Sequence, residues 1–511
     1  LDGYYVLTQD IDLSGYDSWG PIGTSTPFSG VLDGQGHVIR NLTVSRPKQS
    51  SHPYSGLFGR VSGGTIKNLG VEQGKIELQN IYPAYAGLIA GSITGQSVIE
   101  NCYGEGSIYA EVTSSGTGTF SAGGLVGQAY GNRGETNPIR SCYNRATLTT
   151  TGRYSANLGG ILGLAEQGDV GDSQPHILLE NCVNLGAVQN AIVDEERSAN
   201  VCSGGLIGAV QNCTAQIRSS GNRGPVTAKE RNDGDLDSYM TNYAYAGGLV
   251  GRNSQALFTI TDCYNSGDVL ALEDRTGAYA GGLIGCNDYI CTVERCYVSG
   301  TVTAENPNDG AGYAGGLLGW GTVGDTMQDC FVLTGEISAV RGNAWTVCNP
   351  GGFINDVWVL APVPGGITDT ATGTVTAREA GQQTTYAAAG WSFDGADAPW
   401  RMEAGSPYPV LSREPDGTAG QPVLQGRPEI VNLTFSQEGV APNVGNTLYA
   451  DLSGLTTDQG TQALGTLSIQ WMKDDRAIDG AVGTTYQLPT GSKSCRYSVQ
   501  VTASGCVGTA Y

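Results

Sequence analysis

The run Asn232-Asp233-Gly234-Asp235-Leu236-Asp237 places an oxygen-bearing side chain at alternate positions. Such spacing lets one loop wrap a Ca²⁺ ion, which takes roughly six to eight oxygen ligands. A complete loop of the helix-loop-helix type ends in a glutamate twelve positions along. Counting from Asn232, Tyr243 stands there, so the pattern is partial. Asp233, Asp235 and Asp237 are therefore the metal candidates, and calcium is the cofactor they would take. A second acidic motif, Asp33-Gly34-Gln35-Gly36-His37, reads as a turn in which Asp33 bonds its own backbone. The three histidines, His37, His52 and His176, are far apart, which excludes a His-Glu-x-x-His zinc helix. Cleaving a glycan would require clustered carboxylates with a cation nearby. No Asp pair recurs at equivalent sites of neighbouring units, so no catalytic residue is assigned and no enzyme is expected.

What must position any of these residues is a repeat. A Gly-Leu-x-Gly core, most plainly GGLVG, closes at Gly59, Gly91, Gly127, Gly163, Gly208, Gly251, Gly285 and Gly319, in steps of 32, 36, 36, 45, 43, 34 and 34 residues. Each core is followed by a second element of the form I-x-x-Cys-Tyr-Asn-x-Gly-x-Val, as in ITDCYNSGDV around Cys263. Self-similarity at this period means a solenoid whose units bury apolar surface only against their neighbours. The pieces are short, rich in Val, Ile, Tyr and Thr, and bounded by Gly, Asn, Asp and Ser, which is strand chemistry. No sustained helical period appears before residue 410. The expected fold is all-β, a right-handed parallel β-helix with successive coils about 4.8 Å apart.

Placed on that repeat, six of the thirteen cysteines (Cys102, Cys142, Cys182, Cys263, Cys296 and Cys330) share one ladder position, which Leu42, Leu69 and Ser220 fill elsewhere. A site that accepts Leu or Cys is expected to be a small inward apolar site. A linear stack does not offer the tetrahedral geometry of zinc. Off the ladder, Cys202 with Cys213 and Cys286 with Cys291 could each staple a turn, though sequence alone leaves connectivity open.

The Trp- and Pro-rich segment Gly390–Leu411 breaks the repeat and is expected to cap the last coil. The solenoid is assigned to residues 1–411 and a polar linker to 412–426. Residues 427–511 alternate as strands around Trp471, which suggests an immunoglobulin-like β-sandwich, and the chain stops in mid-strand at Tyr511, as a piece of a longer protein would. Insertions at 131–139, 166–176, 189–200 and 228–242 are the candidate binding loops, since binding residues concentrate on loops carried by rigid scaffolds. They are expected to gather, in part, on one flank. Tyr245, Tyr279 and Tyr313 share a repeat site that Cys202 fills in another coil, which argues for packing.

The Gly-Gly-Leu-x-Gly and Asn-Cys-Tyr-x-x-Gly pairing resembles the GLUG-motif repeats of bacterial cell-surface proteins. The opening YYVLTQDIDLSG…PFSGVLDGQGHVIRNLTV is similar to the lead-in of such repeats, and the tail around Trp471 resembles bacterial Ig-like modules. The resemblance implies an adhesin-like surface protein contacting host or glycan ligands. Related repeats accompany secreted IgA-cleaving metallopeptidases, whose zinc motif this chain lacks. Lys plus Arg number 27 against 48 Asp plus Glu, a net charge of −21. That balance disfavours nucleic acid and anionic membranes, and no apolar run is long enough to span a bilayer. The expectation is an extracellular monomer on a bacterial surface. The alternative is a β-helix carbohydrate-active enzyme, either a polysaccharide lyase or a glycoside hydrolase.

Overall fold

The computed structural model describes residues 1–46, 53–79, 84–113, 119–167, 176–193, 199–231, 242–308, 310–334, 336–349, 353–362, 367–395, 398–402 and 406–413. Of the remainder it describes 424–425, 429–432, 447–452, 455–457, 467–473, 476–489, 497–503 and 509–510. The chain divides into two compact units, Leu1–Arg413 and Glu414–Tyr511.

The first unit is a stack of parallel coils, each visiting three faces in a fixed order. The coil beginning at Tyr243 is representative. Tyr243–Gly247 lies in a nine-stranded face, Val250–Ser254 in an eight-stranded face, and Phe258–Thr261, Tyr264–Asn265 and Val269–Glu273 in a broad third face. The next coil repeats the path one level on, with Tyr243 opposite Gly277, Val250 opposite Ile284, Phe258 opposite Cys291 and Val269 opposite Val302. The all-β, parallel solenoid expected from the repeat is thus what the chain forms.

The Gly-Gly-Leu-x-Gly core is the bend between the nine- and eight-stranded faces. A Cβ added at Gly248 would lie 2.0 Å from the Gly282 carbonyl oxygen and 2.3 Å from Asn265 Cγ, so only glycine fits there. Leu249 turns inward and is fully buried. A second recurring corner splits the broad face. It sits immediately before the cysteine ladder, where Asn68, Asn101, Ser141, Asn181, Ser219, Asp262, Arg295 and Asp329 all have φ near +50°. Asn and Asp tolerate this left-handed conformation better than most residues, which explains their prevalence at the site.

The ladder that follows does more than fill space. Each thiol donates to the carbonyl two residues back, at 3.0 Å from Cys142 to Arg140 and 3.1 Å from Cys263 to Thr261. Two of them also accept the backbone N–H of the preceding coil, Cys142 Sγ from Cys102 N and Cys296 Sγ from Cys263 N, each at 3.4 Å. Ser220 performs both tasks, accepting from Cys182 N at 3.0 Å and donating to Arg218 O at 2.8 Å. The site is therefore small and hydrogen-bonding rather than simply apolar. Burial raises the Cys142, Cys296 and Cys330 thiols well above their ordinary range, so they stay protonated. Replacing Cys142 by Ser should change unfolding free energy by less than replacing it by Ala. The Ala variant leaves Cys102 N without an acceptor, at a cost of about 1–3 kcal/mol. Equal losses in urea titrations of the two variants would refute this account.

Two positions beyond the cysteines runs a buried asparagine ladder. Asn144 Nδ2 donates to Asn184 Oδ1, Asn184 Nδ2 to Asn222 Oδ1, and Asn222 Nδ2 to Asn265 Oδ1, each at 2.8 Å. The same amides donate to the carbonyls two residues on, at Ala146, Gly186, Gly224 and Gly267. Buried amides satisfied in this way contribute rather than cost stability.

The Trp-rich segment departs from the expectation of an end cap. The described residues between 376 and 413 run back along the flank and cover the outward side of the broad face. Tyr264, Tyr297, Phe331, Tyr386, Trp391, Trp400 and Leu411 form one apolar cluster there. Trp391 Nε1 donates to Asp329 O at 2.8 Å, and Trp400 Nε1 to Asp262 Oδ1 at 3.1 Å. The outward aromatics of these coils, not the open end of the stack, supply the apolar surface that the tryptophans bury.

The second unit contains antiparallel pairings: Glu429–Asn432 and Thr485–Gln487 flank Thr447–Asp451, and Arg476–Val482 and Tyr497–Ala503 flank Leu467–Lys473. Leu448 and Ala450 of the first sheet share an apolar cluster with Trp471, Val499 and Val501 of the second. Trp471 is fully buried, with its Nε1 donating to Gly483 O at 3.0 Å.

Candidate functional site

The insertion loops separate onto two corners. Residues 131–139 and 166–176 follow eight-stranded-face strands Val126–Gly131 and Leu162–Gln167, and both lead into the broad face. Residues 189–200 and 228–242 lie at the opposite turn, between broad-face strands and nine-stranded-face strands. The flanking strands therefore place them in two pairs on successive coils, one pair at each corner. Asp233, Asp235 and Asp237 lie outside the described residues. The 131–139 excursion is tied to itself, with Asn132 Nδ2 donating to Glu135 Oε2 at 2.8 Å and Asn137 Nδ2 to Tyr130 O at 3.2 Å. His176 closes the next corner from inside, buried, with Nδ1 accepting from Thr214 N at 3.2 Å.

Acidic and basic groups do cluster over the first coils, at Asp10, Asp12, Asp33, His37, Arg40, Lys67 and Glu72. Asp33 accepts from Gln35 N at 3.0 Å, the turn expected of Asp-Gly-x-Gly, and also from Asn68 Nδ2 at 3.0 Å and Tyr4 OH at 3.2 Å. Arg40 bridges Asp10 at 2.8 Å and Glu72 at 2.9 Å. Bonds from Arg40 and Val38 N hold the Asp10 carboxyl below the usual range, and Asn41 does the same for Asp12. A general acid needs the opposite shift. What this network does is fasten the first coils together.

The other lateral feature is a cleft on the outer side of the Gly-Gly-Leu bend. Alternate residues of the nine- and eight-stranded faces point into it rather than into the core, because side chains alternate along a strand. From the nine-stranded face come Tyr85, Ser121, Asn157, Cys202, Tyr245, Tyr279 and Tyr313, in register. From the eight-stranded face come Ser92, Gln128, Leu164, Ala209, Arg252, Cys286 and Trp320. In the earlier coils small polar side chains close the cleft; Ser92, Ser121, Gln128 and Asn157 are all buried, and Ser92 Oγ donates to Gln128 Oε1 at 3.0 Å. In the later coils aromatic rings fill it. Tyr245 stacks on Tyr279 with centroids 5.3 Å apart, Tyr279 on Tyr313 at 5.0 Å, and Trp320 meets Tyr313 edge-on at 5.3 Å.

Tyr245 is only 4% exposed and packs against Leu164, Cys202, Ala209 and Cys286. Packing, as expected from the repeat, is its role. Tyr243, Tyr279, Tyr313 and Trp320 are half-buried and form the rim. Burial pushes the Tyr245 and Tyr279 phenols up, so both hydroxyls keep their protons. Arg252 lies over the Tyr245 ring at 4.9 Å and pairs with Asp288 at 2.6 Å. The rim thus offers apolar ring edges, phenolic hydroxyls and one ion pair along successive coils. Sequence marked the tyrosines as a repeated site, but not that Trp320 and Arg252, seven residues after Tyr313 and Tyr245, stand opposite them. Cys202 lies in this outer cluster and Cys213 in the core, so the proposed staple between them does not form. Cys286 and Cys291 are divided in the same way and are not joined.

Part of the cleft and two of the bends lie in a segment that a known family covers. The family described as the GLUG motif matches residues 242–270 and 276–303, each beginning where a strand enters the nine-stranded face. The chain carries GLUG-motif repeats. Halomucin of Haloquadratum walsbyi is 35% identical over 126 residues, covering 22% of this chain and 1% of that protein. This chain therefore spans about a hundredth of that relative. Among solved structures, a candidate immunoglobulin A1 protease from Bacteroides ovatus is 17% identical with a TM-score of 0.36, covering 80% of this chain and 85% of that one. A structure titled IgA1 protease is 16% identical with a TM-score of 0.33, covering 61% and 22% respectively.

Proposed function

We propose that this chain is part of a bacterial cell-surface binding protein, in which the GLUG-repeat solenoid is a rigid stalk with a lateral recognition edge. The aromatic rim at Tyr243, Tyr279, Tyr313 and Trp320 carries this reading. Those rings stay half-exposed while the core beneath them is closed, and aromatic, hydroxyl-rich clefts suit extended glycans on host or neighbouring surfaces. The sequence similarity to halomucin supports a surface location, and the acidic charge suits an extracellular stalk. The C-terminal unit is read as an Ig-like module that spaces or joins the stalk to further domains. Asp233, Asp235 and Asp237 are the calcium ligands of this reading, and the protein acts as a monomer without catalysis.

A glycan array probed with the purified chain, with calcium and with a chelator, tests the proposal. Binding that falls at least tenfold in the Tyr313→Ala/Trp320→Ala double variant is the expected result, and loss with chelator assigns calcium to the 232–237 run. Cleavage of a bound polysaccharide would replace this reading with that of a carbohydrate-active enzyme. Binding untouched by the double variant would remove the rim from it.

A further inference from the structure

Beneath the corner between the broad and nine-stranded faces, two glutamates lie inside the solenoid. Glu230 and Glu273 are directly opposite each other on adjacent coils, and both side chains are fully buried. The preceding position of the same ladder is Ile192, an ordinary core residue. Glu273 accepts from Arg275 N at 2.8 Å, from Thr276 N, and from Asn306 Nδ2 of the next coil at 2.9 Å. Glu230 accepts from Asn242 Nδ2 at 2.8 Å, and Asn242 Oδ1 in turn accepts from Ala199 N at 2.8 Å. Their pairing in register on adjacent strands places the two buried carboxyl groups side by side. The pair therefore ties together three successive coils at the corner where the chain re-enters the nine-stranded face.

Two carboxyl groups can share a hydrogen bond only while one keeps its proton, because an ionised carboxylate only accepts. Losing that proton would set two like charges side by side in a low-dielectric interior, which is strongly disfavoured. The charged residues on the strands packed around them, Lys229, Arg231, Asp274, Arg275 and Glu305, occupy neighbouring positions and are half-buried or exposed rather than buried with the pair.

We propose that Glu230 and Glu273 form a one-proton clasp that holds this corner closed in acid and neutral solution and loosens it in alkali. Burial raises the Glu273 carboxyl above its ordinary value. The sign follows from linkage. A carboxyl with a raised folded-state pKa contributes stability that is full below its unfolded value, about 4.3, and is lost as pH rises through the folded value. Glutamine at position 230 imitates the protonated partner at every pH, since its amide can donate to the Glu273 carboxylate while its oxygen accepts from Asn242. Both Glu273 oxygens already accept N–H bonds, so the proton of the pair belongs to Glu230.

The test compares thermal unfolding of the full chain and its Glu230→Gln variant at pH 5 and pH 8.5. Hydrogen exchange at the amides of Ala199, Asn242 and Thr276 is followed in parallel. The Glu230→Gln variant should match the wild type within a few-fold at pH 5. At pH 8.5 it should be more stable and exchange more slowly at those amides. The gain is about tenfold in the unfolding equilibrium for each unit by which the pair's pKa exceeds an ordinary glutamate's and is passed by the pH. A Glu230→Gln variant less stable than wild type by the same margin at both pH values would overturn the clasp. So would a wild-type exchange rate at the three amides that tracks the variant across the range.

Discussion

Replacing Trp400 by Ala should destabilise the flank of the solenoid by about 3–5 kcal/mol, the cost typical of emptying a fully buried indole site. Trp400 is completely buried, with its ring 4.5 Å from that of Trp391 and 5.9 Å from that of Tyr297. It also donates from Nε1 to Asp262, which Arg295 engages at 2.8 Å. The loss should be local. The strap 376–413 and the core of stacked coils are separate apolar clusters, so releasing one leaves the other closed. Limited proteolysis should cut within 376–413 many-fold faster, with dye binding to the uncovered Tyr264, Tyr297 and Phe331. Far-ultraviolet dichroism of the β-structure should remain. Loss of the whole β-signal in parallel with strap cleavage would show that the strap holds up the stack itself.

Asn184→Val is expected to cost about 3–4 kcal/mol, and Asn265→Val about 1–2 kcal/mol less. Valine fits sterically, since Val298 already occupies the ladder position one coil beyond Asn265, opposite it in register. The difference lies in what is stranded. Removing the Asn184 amide leaves Asn144 Nδ2 and Asn222 Oδ1 each short of a partner at 2.8 Å, and Gly186 O loses its side-chain donor, while Gly186 N keeps only its bond to Asn144 O. Each orphaned buried group costs about 1–3 kcal/mol. At Asn265 the ladder already ends, so only Asn222 loses a ladder partner. Chemical denaturation of both variants measures the gap. Equal costs would mean that the ladder bonds add little beyond the local turn.

The solenoid was legible because one local chemistry recurs. Gly-Gly-Leu must bend where a neighbouring backbone leaves no room for a Cβ, and Asn, Asp or Ser precedes the cysteine in all coils but that of Arg295, where φ turns positive. Each coil therefore announces its own corners. The asparagine ladder was equally visible as Asn144, Asn184, Asn222 and Asn265 within the repeat, but a polar residue between Tyr and Gly reads as a turn until its burial is known. Other features depend on distance rather than pattern. Trp400 meets Asp262 across 138 residues, and nothing local distinguishes a tryptophan that closes an end from one that folds back on a flank. The cleft was half-legible. The tyrosines marked one wall, whereas Trp320 and Arg252 became its other wall only once the bend was seen to bring alternate outward positions together. Glu230 and Glu273 read as polar strand residues, because alternation does not reveal that the last inward position before a corner is sealed.

The coil-to-coil hydrogen bonds all run along the stack, and this has a mechanical consequence. A pull along the axis loads those bonds head-on and one level at a time, as in opening a zipper, instead of shearing many at once. The stalk should therefore yield by shedding single coils, at modest force and over a long extension. The amide ladder from Asn144 to Asn265 acts as a stiff splice in the middle of that path. Under load such a stack would act as a shock absorber, lengthening coil by coil before it parts.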